Sequence, residues 1–134
     1  MQDAYNRTPD NTRNTEYTGT IMSGSLFTKI INREIPADIV YEDDLCLAFR
    51  DINPQAPVHI LIVPKVEIQK LSDADERDKD LLGHLLLAAR KIATNEGYGD
   101  SFRLVMNNGE QAGQTVFHLH IHILAGRGFS WPPG

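Results

Sequence analysis

The segment HLHIHIL, residues 118–124, constrains the fold of this chain more than any other stretch, because histidines alternate in it with leucine and isoleucine. Successive side chains of an extended strand point to opposite faces, so the three histidines should share one face and the aliphatic residues the other. Aliphatic side chains belong in a core. The segment therefore predicts a half-buried strand whose second face carries His118, His120 and His122.

Packing, metal binding and catalysis are three possible uses of such a face. One histidine alone would favour packing, but three in register require surroundings that suit an imidazole at each position. A single ion cannot comfortably hold all three, since His118 and His122 lie roughly 13 Å apart at Cα in a strand and zinc binds nitrogen at about 2.0–2.1 Å. A metal site built from two strand histidines and His59 stays open on spacing alone.

Catalysis uses the same spacing differently. The central imidazole, His120, can attack an electrophile through one ring nitrogen while its other nitrogen donates to a carbonyl that fixes the tautomer. Rings about 6–7 Å away along the strand can bind the oxygens or the leaving group of a phosphate without blocking the line of attack. This interpretation gives every histidine a task.

The loop NNGEQAGQT, residues 107–115, precedes the histidine strand. Gly109 and Gly113 allow a close backbone approach, and Gln114 and Thr115 offer hydrogen-bond donors. Successive N–H groups in such turns can form a concave anion site. A plain connection between strands is the alternative, but the position of the loop beside the histidines favours the anion site.

Composition narrows the class of protein. The 134 residues suit one domain, and a net charge of -5 without a basic block argues against nucleic acid or an anionic membrane as a partner. No apolar run reaches the ~18 residues that a membrane span requires, so we expect a soluble protein. Cys46 is the only cysteine, which excludes an internal disulfide and fits a reducing compartment.

The N-terminal residues 1–22 are rich in Asn and Thr and contain almost no periodic apolar residues. We predict a disordered extension there and one folded domain over residues 23–134. The extension lacks the apolar centre of a secretory signal, and its acidic residues argue against a transit peptide.

Periodicity and turn signals predict two helices and five strands. Ser25 should cap a short helix that Pro36 stops, and Ser72 with Asp73 should cap a long helix over about 74–96 that ends at Gly97. The predicted strands are 39–43, 45–51, 58–64, 102–107 and 117–124. This order predicts an α+β domain with a five-stranded, largely antiparallel meander.

Several segments resemble a known family. HLHIHIL fits the HxHxHxx signature (x apolar) of the histidine triad (HIT) superfamily. The C-terminal AGRGFSWPPG, the segment HILIVPK and residues 26–57 resemble its Hint branch, the adenosine phosphoramidate hydrolases. The resemblance covers about residues 25–134. It implies a HIT-like fold that forms a homodimer, in which the two sheets join into one continuous sheet.

The resemblance also implies a role for each histidine. His120 resembles the nucleophile that becomes covalently adenylylated. His122 and His59 resemble contacts to the phosphate and the leaving group, and His118 resembles the member that orients the others. His84, on the long helix, has no match in this machinery and is expected at a surface or interface.

Further positions match the family's site. Asn107 matches an asparagine near the phosphate, and Asp51 resembles the acid that binds the ribose hydroxyls, although an acid at a strand end is an equal interpretation of Asp51 from the residues alone. Gly113, Gln114 and Thr115 belong to the phosphate loop. The residues that resemble the purine pocket are Leu26, Phe27, Ile30, Ile35, Phe49 and Ile52.

Two positions depart from the Hint pattern. Thr115 stands where a serine is common, so the hydroxyl is kept but the added methyl group restricts χ1. Arg50 stands where a histidine is familiar, which changes the lining near the nucleoside.

The reaction implied is attack on the α-phosphorus of a purine nucleoside phosphoramidate, with AMP or GMP as the nucleotide and an amine as the leaving group. The expected machinery needs no cofactor and no metal, and we expect the protein in the cytoplasm, with the nucleus open as a second location. Two alternatives remain, a dinucleoside polyphosphate hydrolase of the same superfamily and a non-catalytic nucleotide-binding or scaffold protein. The terminal WPPG argues against the first alternative.

Overall fold

The computed structural model describes residues 24–134, so the predicted extension over residues 1–22 lies outside the described residues. The helices are α1 (Leu26–Ile31) and α2 (Lys79–Asn95), and the strands are β1 (Ile39–Glu42), β2 (Cys46–Arg50), β3 (Val58–Pro64), β4 (Arg103–Val105) and β5 (Ile121–Ala125). Short 3₁₀ helices cover Leu71–Asp73, Glu76–Asp78 and Glu110–Ala112. None of the helices in residues 24–134 is long and apolar enough to cross a membrane. The predicted α+β class, with one five-stranded sheet, is confirmed.

The strands form one antiparallel sheet in the order β1-β2-β3-β5-β4. The first three follow the predicted meander, but β5 lies between β3 and β4, so the last two strands are not in chain order. This insertion makes β3 and β5 neighbours. Leu61 pairs with His122 and His59 with Leu124, and the two histidines therefore point to the same face of the sheet.

Each face of the sheet is covered by one helix. Helix α2 packs on the face formed by residues such as Ile60, Ile62 and Ile123, and this is the larger core. Helix α1 packs on the other face, where a smaller cluster forms. Its buried members are Phe27, Ile30, Leu47, Phe49, Leu61 and Val63. His59 and His122 project from this second face, so α1 lies on the side of the sheet that carries the histidines.

Helix α1 begins as predicted. The side chain of Ser25 accepts a hydrogen bond from the Thr28 amide and caps the first turn. Phe27 and Ile30 are buried against the sheet, whereas Leu26 is 46% exposed. The helix ends at Ile31, ahead of Pro36.

Helix α2 begins later than the predicted residue 74. Two 3₁₀ turns precede it, and the predicted caps Ser72 and Asp73 lie in the first of them. In the second turn Asp75 accepts from the Arg77 amide while Asp78 accepts from the Asp75 amide. These local side-chain bonds hold a tighter turn in place of the α-helix. The predicted end is confirmed, since Gly97 follows the C-cap with φ +93°.

The predicted strand over residues 117–124 is only partly regular. β5 starts at Ile121, so of the triad only His122 lies in the strand itself. The Leu119 amide bonds the Ile68 carbonyl at 2.7 Å, a partner outside the sheet. The predicted alternation nevertheless holds, because Leu119, Ile121 and Ile123 all enter the core under α2.

Candidate active site

The backbone of its own segment holds His120 in place. Its Nδ1 donates to the carbonyl oxygen of His118 at 2.7 Å, so the neutral ring keeps its lone pair on Nε2. Phe27 packs edge-on against the ring, with the centroids 5.0 Å apart. Among the described residues, no hydrogen-bond partner engages Nε2. His120 therefore combines a fixed tautomer with a lone pair that none of residues 24–134 engages.

His59 and His122 form a hydrogen-bonded pair whose proton positions follow from one main-chain group. The Gln55 N–H donates to His59 Nδ1 at 3.0 Å, so His59 carries its own proton on Nε2. That proton is donated to His122 Nδ1, 2.9 Å away. His122 must then carry its proton on Nε2. Its ring centroid lies 5.1 Å from that of His120, which places an N–H donor beside the ring with the free lone pair.

His118 is fully buried and uses both ring nitrogens inside the protein. Nε2 donates to the carbonyl oxygen of Pro64 at 2.8 Å, so Nδ1 is an acceptor. The Ser25 hydroxyl lies 2.6 Å from that Nδ1 and donates to it. With both nitrogens engaged, His118 cannot contact a ligand through its ring, and its carbonyl is the group that reaches His120.

Burial lowers the pKa of each of these imidazoles. Desolvation lowers the pKa of His59, His118 and His120 below the ordinary value, with Asp51 opposing the shift at His59 and His120. For His122, desolvation and then the neighbouring His120 and His59 lower the pKa to about 4. The four rings are therefore neutral near neutral pH, and each has one protonated and one unprotonated ring nitrogen.

Asp51 lies beside this pair, directly after β2. Its Oδ1 accepts from the Asn53 amide at 2.8 Å, which forms a local turn, and its Oδ2 lies 3.4 Å from His59 Nε2. Asp51 is thus the turn residue that one interpretation predicts, and its side chain also lies beside the imidazoles, while ribose binding stays a prediction.

The predicted purine-pocket residues divide into two groups. Phe27, Ile30 and Phe49 are buried together, and Ile35 packs against them on the α1 side of the sheet. Leu26 and Ile52 are not part of this cluster, since their exposed fractions are 46% and 99%. The structure therefore brings together the larger part of the predicted apolar wall, within reach of His120 through Phe27.

The predicted phosphate loop is braced by Gln114, which is buried. Its Oε1 accepts from the Gly109 amide at 2.8 Å, and its Nε2 donates to the carbonyls of Gln69 and Val116. The side chain thus acts inside the protein, and the N–H groups of Ala112, Gly113 and Gln114 also bond carbonyl oxygens of the same loop. Gly113 adopts φ +100°, a conformation that favours glycine.

Asn107 and Thr115 flank this loop. Asn107 lies against Gly113, where a Cβ atom would come within 3.5 Å of the Asn107 amide nitrogen. Thr115 is exposed and lines a cavity of about 310 Å³ together with Ser25, Glu67 and other residues of its rim. Both positions thus border the loop that leads into the histidine segment.

Two clusters of metal-ligating side chains occur within residues 24–134. They are Asp51, His59 and His122 at the site, and Asp43, Cys46 and His84 beside α2. In the second cluster Asp43 accepts a hydrogen bond from His84 Nε2 at 2.7 Å, and burial raises the pKa of the Cys46 thiol. The sequence left open a metal site of His59 with two strand histidines, but only one strand histidine, His122, lies close enough to His59 to share an ion. In both clusters, hydrogen bonds already join ligand atoms.

Nothing in the sequence pattern signals the roles of Gln55, Glu67 and Thr28 near the histidines. Gln55 acts through its main-chain N–H, which any residue other than proline could supply at that position. Glu67 and Thr28 approach His118 from segments that are distant from it along the chain. Ser25 and Thr28 stand three residues apart at the start of a helix. This spacing predicts a helix cap but no contact with His118.

Comparison with known proteins places these features in a family. A model of the HIT domain matches residues 32–129. An uncharacterized HIT-like protein of Synechocystis sp. is 66% identical over 110 residues, covering 82% of this chain and 96% of that protein. The Arabidopsis thaliana protein named adenylylsulfatase HINT1 is 52% identical over 114 residues, covering 84% of this chain and 78% of that protein. The crystal structure of a HIT family hydrolase from Legionella pneumophila matches with a TM-score of 0.81 and 48% identity, covering 83% of this chain and 100% of that chain.

Proposed function

Because the chain belongs to the HIT domain family, we propose that it is a purine nucleoside phosphoramidate hydrolase that forms a covalent nucleotide intermediate on His120. The observation that carries this proposal is the proton pattern of the site. His120 has a free lone pair on Nε2, and His122 has an N–H on its own Nε2 beside it. A nucleophile and a proton donor so arranged suit substitution at phosphorus with a basic leaving group.

In the first proposed step the Nε2 lone pair of His120 attacks the α-phosphorus, and the bond between phosphorus and the amine nitrogen breaks. The amine needs a proton as it leaves, and the imidazolium form of His122 supplies it through Nε2 and becomes the neutral ring. The negative charge of the bound phosphate favours the protonated form of His122, which opposes the effect of burial. The exposed Thr115 hydroxyl, at the end of the loop, offers a hydrogen-bond donor for an equatorial oxygen.

In the second proposed step a water molecule attacks the same phosphorus and the bond to His120 Nε2 breaks. The proton lost by the water returns to His122, so the site is restored and the products are AMP and the free amine. Splitting the reaction at a covalent intermediate replaces one high barrier by two lower ones.

A trapping experiment tests the nucleophile. We expect AMP carrying a labelled adenosine to remain on the protein after a quench during turnover of an AMP–amine conjugate, and His120→Ala to lose both the label and turnover. His84→Ala is the matched control, because His84 is half-buried on α2 and bonds Asp43 outside the site. Label on His120→Ala would show that another group is the nucleophile.

A second candidate substrate is adenylyl sulfate, which the name of the Arabidopsis relative favours. Sulfate leaves without a proton, whereas an amine needs one, so the two reactions depend differently on His122. We expect His122→Asn to lower the rate with an AMP–amine conjugate by about 10²–10⁴-fold and the rate with adenylyl sulfate far less. An equal loss on both substrates would remove the proton-donor role from His122.

The two broader alternatives have distinct outcomes in the same assays. A dinucleoside polyphosphate hydrolase would act faster on diadenosine polyphosphate than on an AMP–amine conjugate. A scaffold protein would bind AMP, but the wild type would show no turnover above that of His120→Ala.

The homodimer is also a proposal, and the edge of the sheet supports it. β4 pairs with β5 on one side only among the described strands. Beside it lies an apolar cavity of about 400 Å³. Its lining residues are Leu71, Leu82, Leu86, Leu104, Met106 and Ile121. An unpaired strand next to an apolar groove suits pairing with a second copy, which would extend the sheet across the dimer.

A further inference from the structure

Three side chains from two segments surround the buried ring of His118. Ser25 and Thr28 come from the first turn of α1, and Glu67 comes from the segment after β3. The Ser25 Oγ lies 2.6 Å, the Thr28 Oγ1 3.4 Å and the Glu67 Oε1 4.0 Å from His118 Nδ1. Ser25 and Glu67 of this polar group also line the cavity that Thr115 borders, and the group takes no part in the steps proposed above.

The hydrogen bonds of this group have defined directions. The Oε1 atom of Glu67 accepts from the Ser25 amide at 3.1 Å and from the Thr28 hydroxyl at 2.5 Å. The same carboxylate oxygen therefore holds both ends of the first turn of α1. A charged acceptor strengthens both bonds.

The consequence for His118 is a choice between two hydroxyl donors. Both Ser25 and Thr28 have a hydroxyl close to His118 Nδ1, but Glu67 engages the hydroxyl proton of Thr28. The Ser25 hydroxyl also has Thr28 Oγ1 as an acceptor at 3.3 Å, but the contact to His118 Nδ1 is shorter, so Ser25 donates to Nδ1 while Nε2 donates to the Pro64 carbonyl. By accepting the Thr28 hydroxyl proton, Glu67 thereby favours a single tautomer of His118, with the proton on Nε2.

This arrangement extends to His120 in two ways. The carbonyl of His118 accepts the Nδ1 proton of His120, so the orientation of His118 decides where that acceptor lies. Phe27, on the turn that Glu67 holds, contacts both rings, with centroids 5.9 Å from His118 and 5.0 Å from His120. Movement of the first turn of α1 would therefore displace both supports of the nucleophile.

We propose that Glu67 is a positioning residue for His120, acting through the Ser25 amide, the Thr28 hydroxyl and the ring of His118. The expected effect of Glu67 on turnover rests on the proposed function. Its expected effect on the proton positions of the histidine rings rests on the hydrogen bonds alone. Glu67 itself does not touch the substrate in this proposal.

Glu67→Ala and Glu67→Gln separate positioning from charge. The amide of Glu67→Gln keeps an oxygen acceptor for both donors, whereas alanine removes it. We expect kcat on an AMP–amine conjugate to fall by about tenfold in Glu67→Ala, with KM changed less than about threefold, because misplacing a reacting group affects the chemical step most. Glu67→Gln should stay within about threefold of wild type. Glu76→Ala, which removes an exposed carboxylate in the 3₁₀ turn before α2, is the matched control.

The ¹⁵N shifts of the histidine rings give a readout that does not depend on turnover. In the wild type we expect a protonated Nε2 on His118 and a protonated Nδ1 on His120, and in Glu67→Ala a mixture of proton positions on His118. Ser25→Ala removes the donor to His118 directly and should reproduce the mixture if Glu67→Ala does not fold.

Two results would overturn the proposal. One is a folded Glu67→Ala in which the shifts of both rings match the wild type, and the other is a Glu67→Gln that falls as far as Glu67→Ala. If the wild type itself has no turnover, the proposed function fails and the ring shifts alone decide the role of Glu67.

Discussion

At the level of single residues, three main-chain groups determine which ring nitrogen carries the proton in three of the histidines. The His118 carbonyl sets the proton of His120, the Gln55 amide sets that of His59, and the Pro64 carbonyl sets that of His118. Backbone groups are suited to this task because their donor and acceptor roles do not change with pH. Four rings of the same chemical type thus receive different roles from their surroundings.

The lowered pKa of His122 predicts a pH dependence of stability. An unfolded histidine takes up a proton near pH 6.5, but burial beside His120 and His59 holds the pKa of folded His122 at about 4. Below about pH 6.5 the unfolded chain therefore binds a proton that the folded site does not, and the free energy of unfolding falls as the pH falls towards about 4. Allowing for partial exposure, we expect His122 to account for about 1 kcal/mol between about pH 7.5 and about pH 5.

Urea unfolding of the wild type and His122→Gln at the two pH values measures this contribution. The variant lacks the titrating ring, so its stability should fall less on acidification. Equal falls in both proteins would mean that burial does not perturb His122.

At the level of secondary-structure elements, the contacts at strand ends hold the site together. β5 turns at Gly126 beside Pro57, the residue before β3, and these are the two strands that carry His122 and His59. At the end of β2, Arg50 makes a two-pronged bond to Glu96 of the α2 terminus, with both N–O distances 3.0 Å. The departure noted at Arg50 therefore serves as a link between the sheet and α2.

The turn at Gly126 predicts a costly substitution. Gly126 has φ +97°, and an added Cβ atom would lie 2.8 Å from the Cβ of Pro57. We expect Gly126→Ala to lower the free energy of unfolding by about 2 kcal/mol, because backbone strain and a clash with a rigid ring act together. Gly128→Ala is the control, since an added Cβ there meets nothing within 4 Å. Equal stability of the two variants in urea would contradict this account.

At the level of the whole molecule, the single chain exposes apolar surface that a second copy could cover. Leu71, Leu86 and Leu87 are 42%, 53% and 62% exposed, and Leu71 and Leu86 line the groove beside β4. Trp131 near the C-terminus is 82% exposed. A large aromatic side chain gains much from burial, so the tail is expected to pack on the partner subunit.

Mass and fluorescence test the dimer together. We expect the wild type to have twice the chain mass in light scattering, and Leu86→Glu to have the mass of one chain, because a charge would be buried in the groove. Trp131 is the only tryptophan, so its emission should shift to longer wavelength in the variant. Lys91→Glu, a charge change elsewhere on α2, is the control. A wild type with the mass of one chain would contradict the dimer.

The local patterns of the sequence predicted most of the elements and the alternation around the triad. HLHIHIL, VHILIVP and the cap at Ser25 carry their information within a few neighbouring residues, where periodicity and hydrogen bonding to the nearest backbone act. These signals also carried the resemblance to the family, and the resemblance predicted six residues of a purine pocket. The structure brings Phe27, Ile30, Ile35 and Phe49 of these together. The start of α2 was misplaced because local side-chain bonds at Asp75 and Asp78 compete with the helix over the same residues.

Only the tertiary structure decided which atoms meet. The insertion of β5 next to β3 brings His59 to His122, although 63 residues separate them along the chain. The proton positions of the rings, the brace at Gln114 and the polar group of Ser25, Thr28 and Glu67 around His118 likewise depend on contacts between distant segments. Such contacts leave no periodic trace in a sequence, because hydrogen bonds across a fold depend on where the backbone runs and not on the spacing of residue types.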